Sequence, residues 1–180
     1  MSLVELIQPT ALFRDSYRDL VADFTNSGEP FVPFVLGFEN HDFDAFLHRL
    51  DSCTRGIGVP SSFVAHSTFW LVADRATVVG VSNIRHSLTD ALRREGGHIG
   101  FGIRPSARRQ GLGTAILKRS LDQADVLGIT CALLTCAKTN IASAKTIVRN
   151  RGILESEEHL PDRGETVQRY WIELGNRQRE

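Results

Sequence analysis

Arg108, Arg109, Gly111 and Gly113 lie close together in the string "RPSARRQGLGT", Arg104 to Thr114. A glycine-dotted apolar segment, "GHIGFGI", precedes that string, and a long helical pattern follows it. The first turn of a helix carries unpaired backbone N–H groups and the positive end of the helix dipole. Pro105 ends the strand, the glycines let a ligand approach without a Cβ in the way, and the arginines add full charges. Such a turn suits a phosphate or pyrophosphate. It is not a Walker loop, because G-x-x-x-x-G-K-[ST] is missing, and it is not the dinucleotide fingerprint, because G-x-G-x-x-G with a later ribose acid is missing.

The narrower pattern resembles the R/Q-x-x-G-x-G/A loop of the GCN5-related N-acetyltransferase family, with Arg108, Gly111 and Gly113 at the motif positions. Downstream, "NIASAKTIVRNRGI" after the strand "ITCALLTC" is similar to that family's N-x-x-[AS] helix opening. The resemblance runs from about Val78 to Trp171, and with the closing "RYWI" it looks like a branch of predicted acetyltransferases. It implies that acetyl-CoA is the cosubstrate, with its pyrophosphate on Arg108, Arg109, Gln110, Gly111, Leu112, Gly113 and Thr114. Asn140 and Ser143 would meet the pantetheine arm, and the strand from Ile99 to Ile103 would pair with it, through Phe101 and Ile103 among others. Gly100 and Gly102 leave one face of that strand bare, which serves either a ligand lying close or a tightly packed neighbour.

The family's glutamate base commonly stands ten residues before the loop's first R/Q, and here that position is His98. A histidine with a pKa near 6.5 can take a proton from an ammonium or a relaying water. The alternatives are a structural histidine at the strand start and Glu95 as base. The family's usual tyrosine acid falls on Ile147, which cannot donate a proton. Ser143 matches a serine used by another branch, so His98 and Ser143 are the candidate catalytic pair. Tyr170 is a further donor candidate. His66, Arg85 and His86 lie near the expected acceptor side. Glu39, Asp42 and Asp44 would either attract a cationic amine or cap a helix.

Elements that position these residues can be read from periodicity. Phe13, Tyr17, Leu20 and Phe24 step as an amphipathic helix, and Phe43, Phe46, Leu47 and Leu50 form a second, capped by Asn40 or Asp42. "STFWLVADRATVVGVSNIRHS" reads as two strands around Asp74-Arg75, followed by a short helical link at "LTDALRREG". Strand, helix, strand, helix and strand follow, with Leu117, Leu121, Ala124 and Leu127 on one helix face. Ile141, Ala144 and Val148 face inward on the next, which Gly152 stops. The expected class is α/β: a GNAT-like mixed, partly parallel, strongly twisted sheet of about six to seven strands with about four helices. One domain over 1–180 is expected, with residues 1–65 as the helical, acceptor-side portion and 66–174 as the sheet and cofactor core.

Composition narrows the classes of function. Lys+Arg and Asp+Glu are both 21 in 180 residues, so no overall basic field favours nucleic acid or anionic lipid. No apolar run reaches a membrane span or a signal peptide, and the expectation is a cytoplasmic protein. The three cysteines, Cys53, Cys131 and Cys136, form no C-x-x-C, and the histidines are scattered, so no metal is expected. The expected activity is acetyl-CoA-dependent N-acetylation of a small-molecule or peptide amine, with no nucleic-acid or membrane partner. A homodimer is compatible with the sequence. The rival is a non-catalytic CoA-binding sensor or interaction module of the same fold.

Overall fold

A computed structural model describes residues 3–175, so the extreme ends of the expected 1–180 domain lie outside the described residues. The first helix, α1 (Arg14–Ser27), buries Tyr17, Leu20 and Phe24 and stops at Gly28, whose φ of 68° suits a residue without a Cβ. Asp42 caps α2 (Phe43–Thr54) by accepting from the Ala45 N–H. Both helices pack on one face of a sheet ordered β1 (Val4–Ile7), β2 (His66–Ala73), β3 (Thr77–Arg85), β4 (Ile99–Ile103). The Tyr17 ring stacks on buried Trp70 of β2 at 4.6 Å between centroids. Asp74 and Arg75 both have positive φ, the geometry that matches a two-residue hairpin turn to the twist of its strands.

The opposite face of that sheet is covered by α4 (Leu112–Val126), which buries Ile116, Leu117, Leu121 and Ala124. Ser120 of α4 donates to Ser82 of β3 at 2.7 Å, a buried polar rivet between the two elements. A second sheet, ordered β5 (Cys131–Ala137), β7 (Glu165–Glu173), β6 (Ile153–Leu160), follows α4, with α5 (Ile141–Arg149) between its first two strands in sequence. Short α3 (Asp90–Arg94) links β3 to β4, and Arg94 and Glu95 reach across to Glu158 and Arg163 of the second sheet.

The α/β class and the strand number agree with expectation, and the described residues form five α-helices where about four were expected. The difference lies in how the strands pair. Every ladder among the described residues is antiparallel, and the strands fall in two sheets. The strand-helix-strand crossover joins β4 to β5, which face each other without a ladder. Two strands went unread in the sequence. One is β1, four residues long; the other is β6, "ILESEEHL", largely exposed and rich in acids. On α5 the phase also differs: Ile147 is buried at 1% exposure, whereas Ile141 and Val148 are exposed. On α4, Leu127 likewise stands outside the buried stripe. Among the described residues, no helix is long and apolar enough to cross a membrane.

Candidate active site

Where β4 ends, the chain passes through one 3-10 turn (Pro105–Ala107) and then takes positive φ at Arg109 (63°) and Gly111 (80°) before α4 begins. Alternation of right- and left-handed residues turns successive N–H groups inward as an anion-binding nest. The N–H groups from Arg109 through Gly113 have no acceptor among the described residues. A Cβ on Gly111 would meet nothing within 4 Å, so the turn is open to solvent at that residue. These are the features a pyrophosphate requires.

The loop's expected residues divide by role. Arg108 turns away: its guanidinium grips both carboxylate oxygens of Glu29 at 2.7 Å, and its Nε donates to the Ile103 carbonyl. It braces the loop against the end of α1, a contact between distant segments that the local string did not announce. Arg109 and Gln110 are exposed, and Leu112 is half-buried against the core. Thr114 contributes no free amide, because its N–H is bonded to the Gly111 carbonyl. Gly113 serves packing, since a Cβ there would meet Thr146 of α5 at 3.4 Å.

Along β4, the bonds Arg85 N–H to His98 C=O and Arg104 N–H to Val79 C=O fix the alternation of the ladder. The His98 carbonyl and the backbones of Gly100, Gly102 and Arg104 therefore face β3, while the His98 N–H and the backbones of Ile99, Phe101 and Ile103 face the opposite edge. Among the described residues, no strand pairs with that edge. The bare side-chain face of β4, however, is a packing surface. A Cβ on Gly102 would sit 2.0 Å from the Val32 carbonyl, and one on Gly100 would meet Pro33 at 3.5 Å. Room for a ligand is therefore at the edge of the strand, and the glycine face is filled by the segment after α1.

His98 stands where the two sheets touch. Its backbone N–H donates to the Leu133 carbonyl at 2.7 Å, and its Nδ1 accepts the Leu133 N–H at 2.9 Å. A neutral imidazole whose Nδ1 accepts carries its proton on Nε2 and has no lone pair left for a substrate proton. Burial, with Arg93 and Arg85 nearby, pushes its pKa down to about 4. The near-neutral titration expected of a base is not what this setting produces. Glu95, the reserve base, is ion-paired to Arg163.

On α5, Asn140 caps the helix, its Oδ1 accepting the Ser143 N–H at 3.0 Å, which leaves its NH2 group as the part able to reach outward. Burial raises the pKa of the Cys136 thiol on β5, and the neighbouring Ser143 hydroxyl acts against that rise. Tyr170 is buried and donates to Gln168 at 2.8 Å, while Ile147 fills the core beside it. On the other side of the sheet, His66 is the buried first residue of β2, bonded to Asn83, and His86 pairs with Ser67. Asp42 caps its helix and Glu39 accepts the His41 N–H, so both acids serve local backbone. Asn83 was not singled out from sequence. The available signal was a polar pair, Ser82 and Asn83, in the middle of an apolar stretch of strand, ending two residues before Arg85.

The sequence matches the acetyltransferase (GNAT) family over residues 25–153. The chain belongs to that family. Among curated protein sequences no relative matches. Solved structures share the fold at low identity. Spermidine N-acetyltransferase from Vibrio cholerae, in a dodecameric structure, is 14% identical with a TM-score of 0.64, covering 98% of both chains. The microcin C7 self-immunity acetyltransferase MccE, in complex with acetyl-CoA and AMP, is 13% identical with a TM-score of 0.67, covering 94% of this chain and 92% of that one. The Salmonella typhimurium acetyltransferase that modifies the N-terminal serine of ribosomal protein L7/L12 is 14% identical with a TM-score of 0.67, covering 94% of each. Among the described residues, no group of three or more His, Cys, Asp or Glu is gathered to hold a metal.

Proposed function

We propose that this protein is an acetyl-CoA-dependent N-acetyltransferase acting on an amine of a small molecule or peptide. The observation that carries the reading is the run of unpaired N–H groups from Arg109 to Gly113, at the end of a strand whose outer edge is also unpaired. The nest would hold the pyrophosphate, with Arg109 adding charge. The edge backbones of Ile99 and Phe101, with the Asn140 amide, would orient the pantetheine arm. Acetyl-CoA supplies the activated acetyl group and a thiolate leaving group. Ser143 would offer its Oγ–H to the departing sulfur, the role for which Ile147 is unfit. His98 we assign as a positioning residue: it fixes β4 to β5 through Leu133 and so sets the width of the cleft. Proton removal from the acceptor then falls to water.

Titration with CoA should raise the melting temperature by mass action, and mass spectrometry of an amine panel with acetyl-CoA should show a gain of one acetyl group. Gly111→Val puts a branched side chain at the open turn and strains a positive-φ site, so CoA affinity should fall about tenfold or more, about 1.4 kcal/mol. An unchanged CoA affinity in the folded variant would remove the nest from the site. CoA binding with no transfer to any amine would make the protein a sensor of the cofactor.

A further inference from the structure

Asn83 and Arg85 of β3 lie on the same side of the sheet as His66 and Thr68 of β2. This polar cluster is deeply buried, with Asn83 0%, His66 2% and Arg85 9% exposed. Asn83 donates to His66 Nδ1 at 2.9 Å and to Thr68 Oγ1 at 3.1 Å, yet its Oδ1 has no partner among the described residues. Arg85 spends Nη1 on the carbonyls of Gly96 and Gly97, both at 3.0 Å. Its Nε is shut from solvent without a partner, and Nη2 makes no hydrogen bond among the described residues. A Cβ on Gly100 would come within 4.0 Å of Nη2, so the guanidinium lies over β4. Half-buried Phe34 and Phe63 stand 5.7 and 5.8 Å from it.

Nε and Nη2 form the side edge of a guanidinium, the edge that takes both oxygens of a carboxylate at once. Because Nε is shut from solvent, a ligand oxygen reaches it only when the groups packed around it move aside. No Asp or Glu pairs with Arg85 among the described residues. A buried charge without a counter-charge is costly, and two neutral carbonyls and two rings offset only part of that cost. The surroundings add no negative charge: Arg49 and Arg93 act on the same region, and burial keeps His66 and His98 neutral. A polycation would meet repulsion here, whereas an anionic group would supply the partner that the Arg85 side edge lacks. The Asn83 Oδ1, itself an acceptor, calls for a separate donor such as water or the acceptor's amine.

We propose that Arg85 anchors a carboxylate of the acceptor, which is an amine of amino-acid size carrying that carboxylate. The proposal rests on the acetyltransferase reading for the amine, and on this cluster alone for the carboxylate. Phe34 and Phe63, half-buried beside the guanidinium, would pack against the body of such a molecule.

The test compares acids with their uncharged isosteres on the intact protein. Calorimetry would measure binding of phenylalanine, leucine and glutamate, each beside its carboxamide, and of spermidine, with and without CoA. The acids should bind roughly ten- to a hundredfold tighter than the carboxamides, the worth of a charge-assisted bidentate contact. With acetyl-CoA present, kcat/KM should follow the same ratio. Arg85→Lys keeps the charge but loses the fork, so the preference should shrink while the CoA-induced rise in melting temperature persists. If that variant does not fold, the wild-type ratio decides. Equal affinity for acid and carboxamide, or tighter binding of spermidine, overturns the carboxylate anchor and leaves Arg85 as a strut for the Gly96–Gly97 turn; the acetyltransferase reading then survives. Loss of CoA binding with the acid preference intact would do the reverse.

Discussion

His98 is buried, neutral and bonded through Nδ1 to the Leu133 N–H, so its removal should be felt as lost structure. Replacing it with leucine leaves a buried N–H unpaired, at a cost of about 1–3 kcal/mol. An asparagine, whose Oδ1 can stand in for Nδ1, should recover much of that loss. Acid titration separates the two variants from the parent. In the folded protein His98 and His66 both titrate near 4, below the ordinary value of 6.5. The unfolded chain therefore binds more protons between those pH values. Stability is full above about pH 6.5 and declines as pH falls towards 4, by up to about 1.4 kcal/mol per unit for each histidine. Denaturant melts of wild type and His98→Asn at several pH values should show a shallower decline in the variant. An identical slope would mean that His98 already titrates normally in the fold.

At the scale of elements, β4 depends on what lies beneath its glycines. The Val32–Pro33 segment presses on Gly102 so closely that an added Cβ cannot fit, with backbone atoms as the obstacle. Gly102→Ala should destabilise by about 1–3 kcal/mol or more, read as a lower denaturation midpoint. A variant as stable as the parent would mean that this segment is free to move off the strand. The same strand shows what was legible. Its glycine alternation was readable, but the choice between ligand and packing depended on a contact with a segment some seventy residues away. The hairpin at Asp74-Arg75 was readable because its turn is local. By contrast, β6 hides because Glu155 to His159 are polar on an outer strand and its leading Ile153 and Leu154 are exposed as well. The phase of α5 is ambiguous in the sequence because Ile147 and Val148 are adjacent and equally apolar. The turn from Arg108 to Gly113, with its run of unpaired N–H groups, is one continuous string, so the residues of that turn were legible. The Arg85 cluster joins β2, β3 and the Gly96–Gly97 turn, and only the fold assembles it.

For the whole molecule, the decisive arrangement is two sheets that meet at His98 and Leu133 and are otherwise unladdered, with Gly96 adding one bond to Thr135. Peptide groups of Ile99 and Phe101 that lack a strand partner trade their amide protons with water at a rate set by whatever lies across the gap. Deuterium uptake there should be quick in the free protein, and CoA should slow it along with uptake at Arg109 to Gly113. The flanking ladder residues Gly100 and Gly102, already bonded to β3, should barely change. Uptake at Ile99 and Phe101 that ignores saturating CoA would place the pantetheine arm elsewhere. The unfinished seam thus makes this strand its own occupancy gauge, with alternate residues along five positions serving as signal and internal reference.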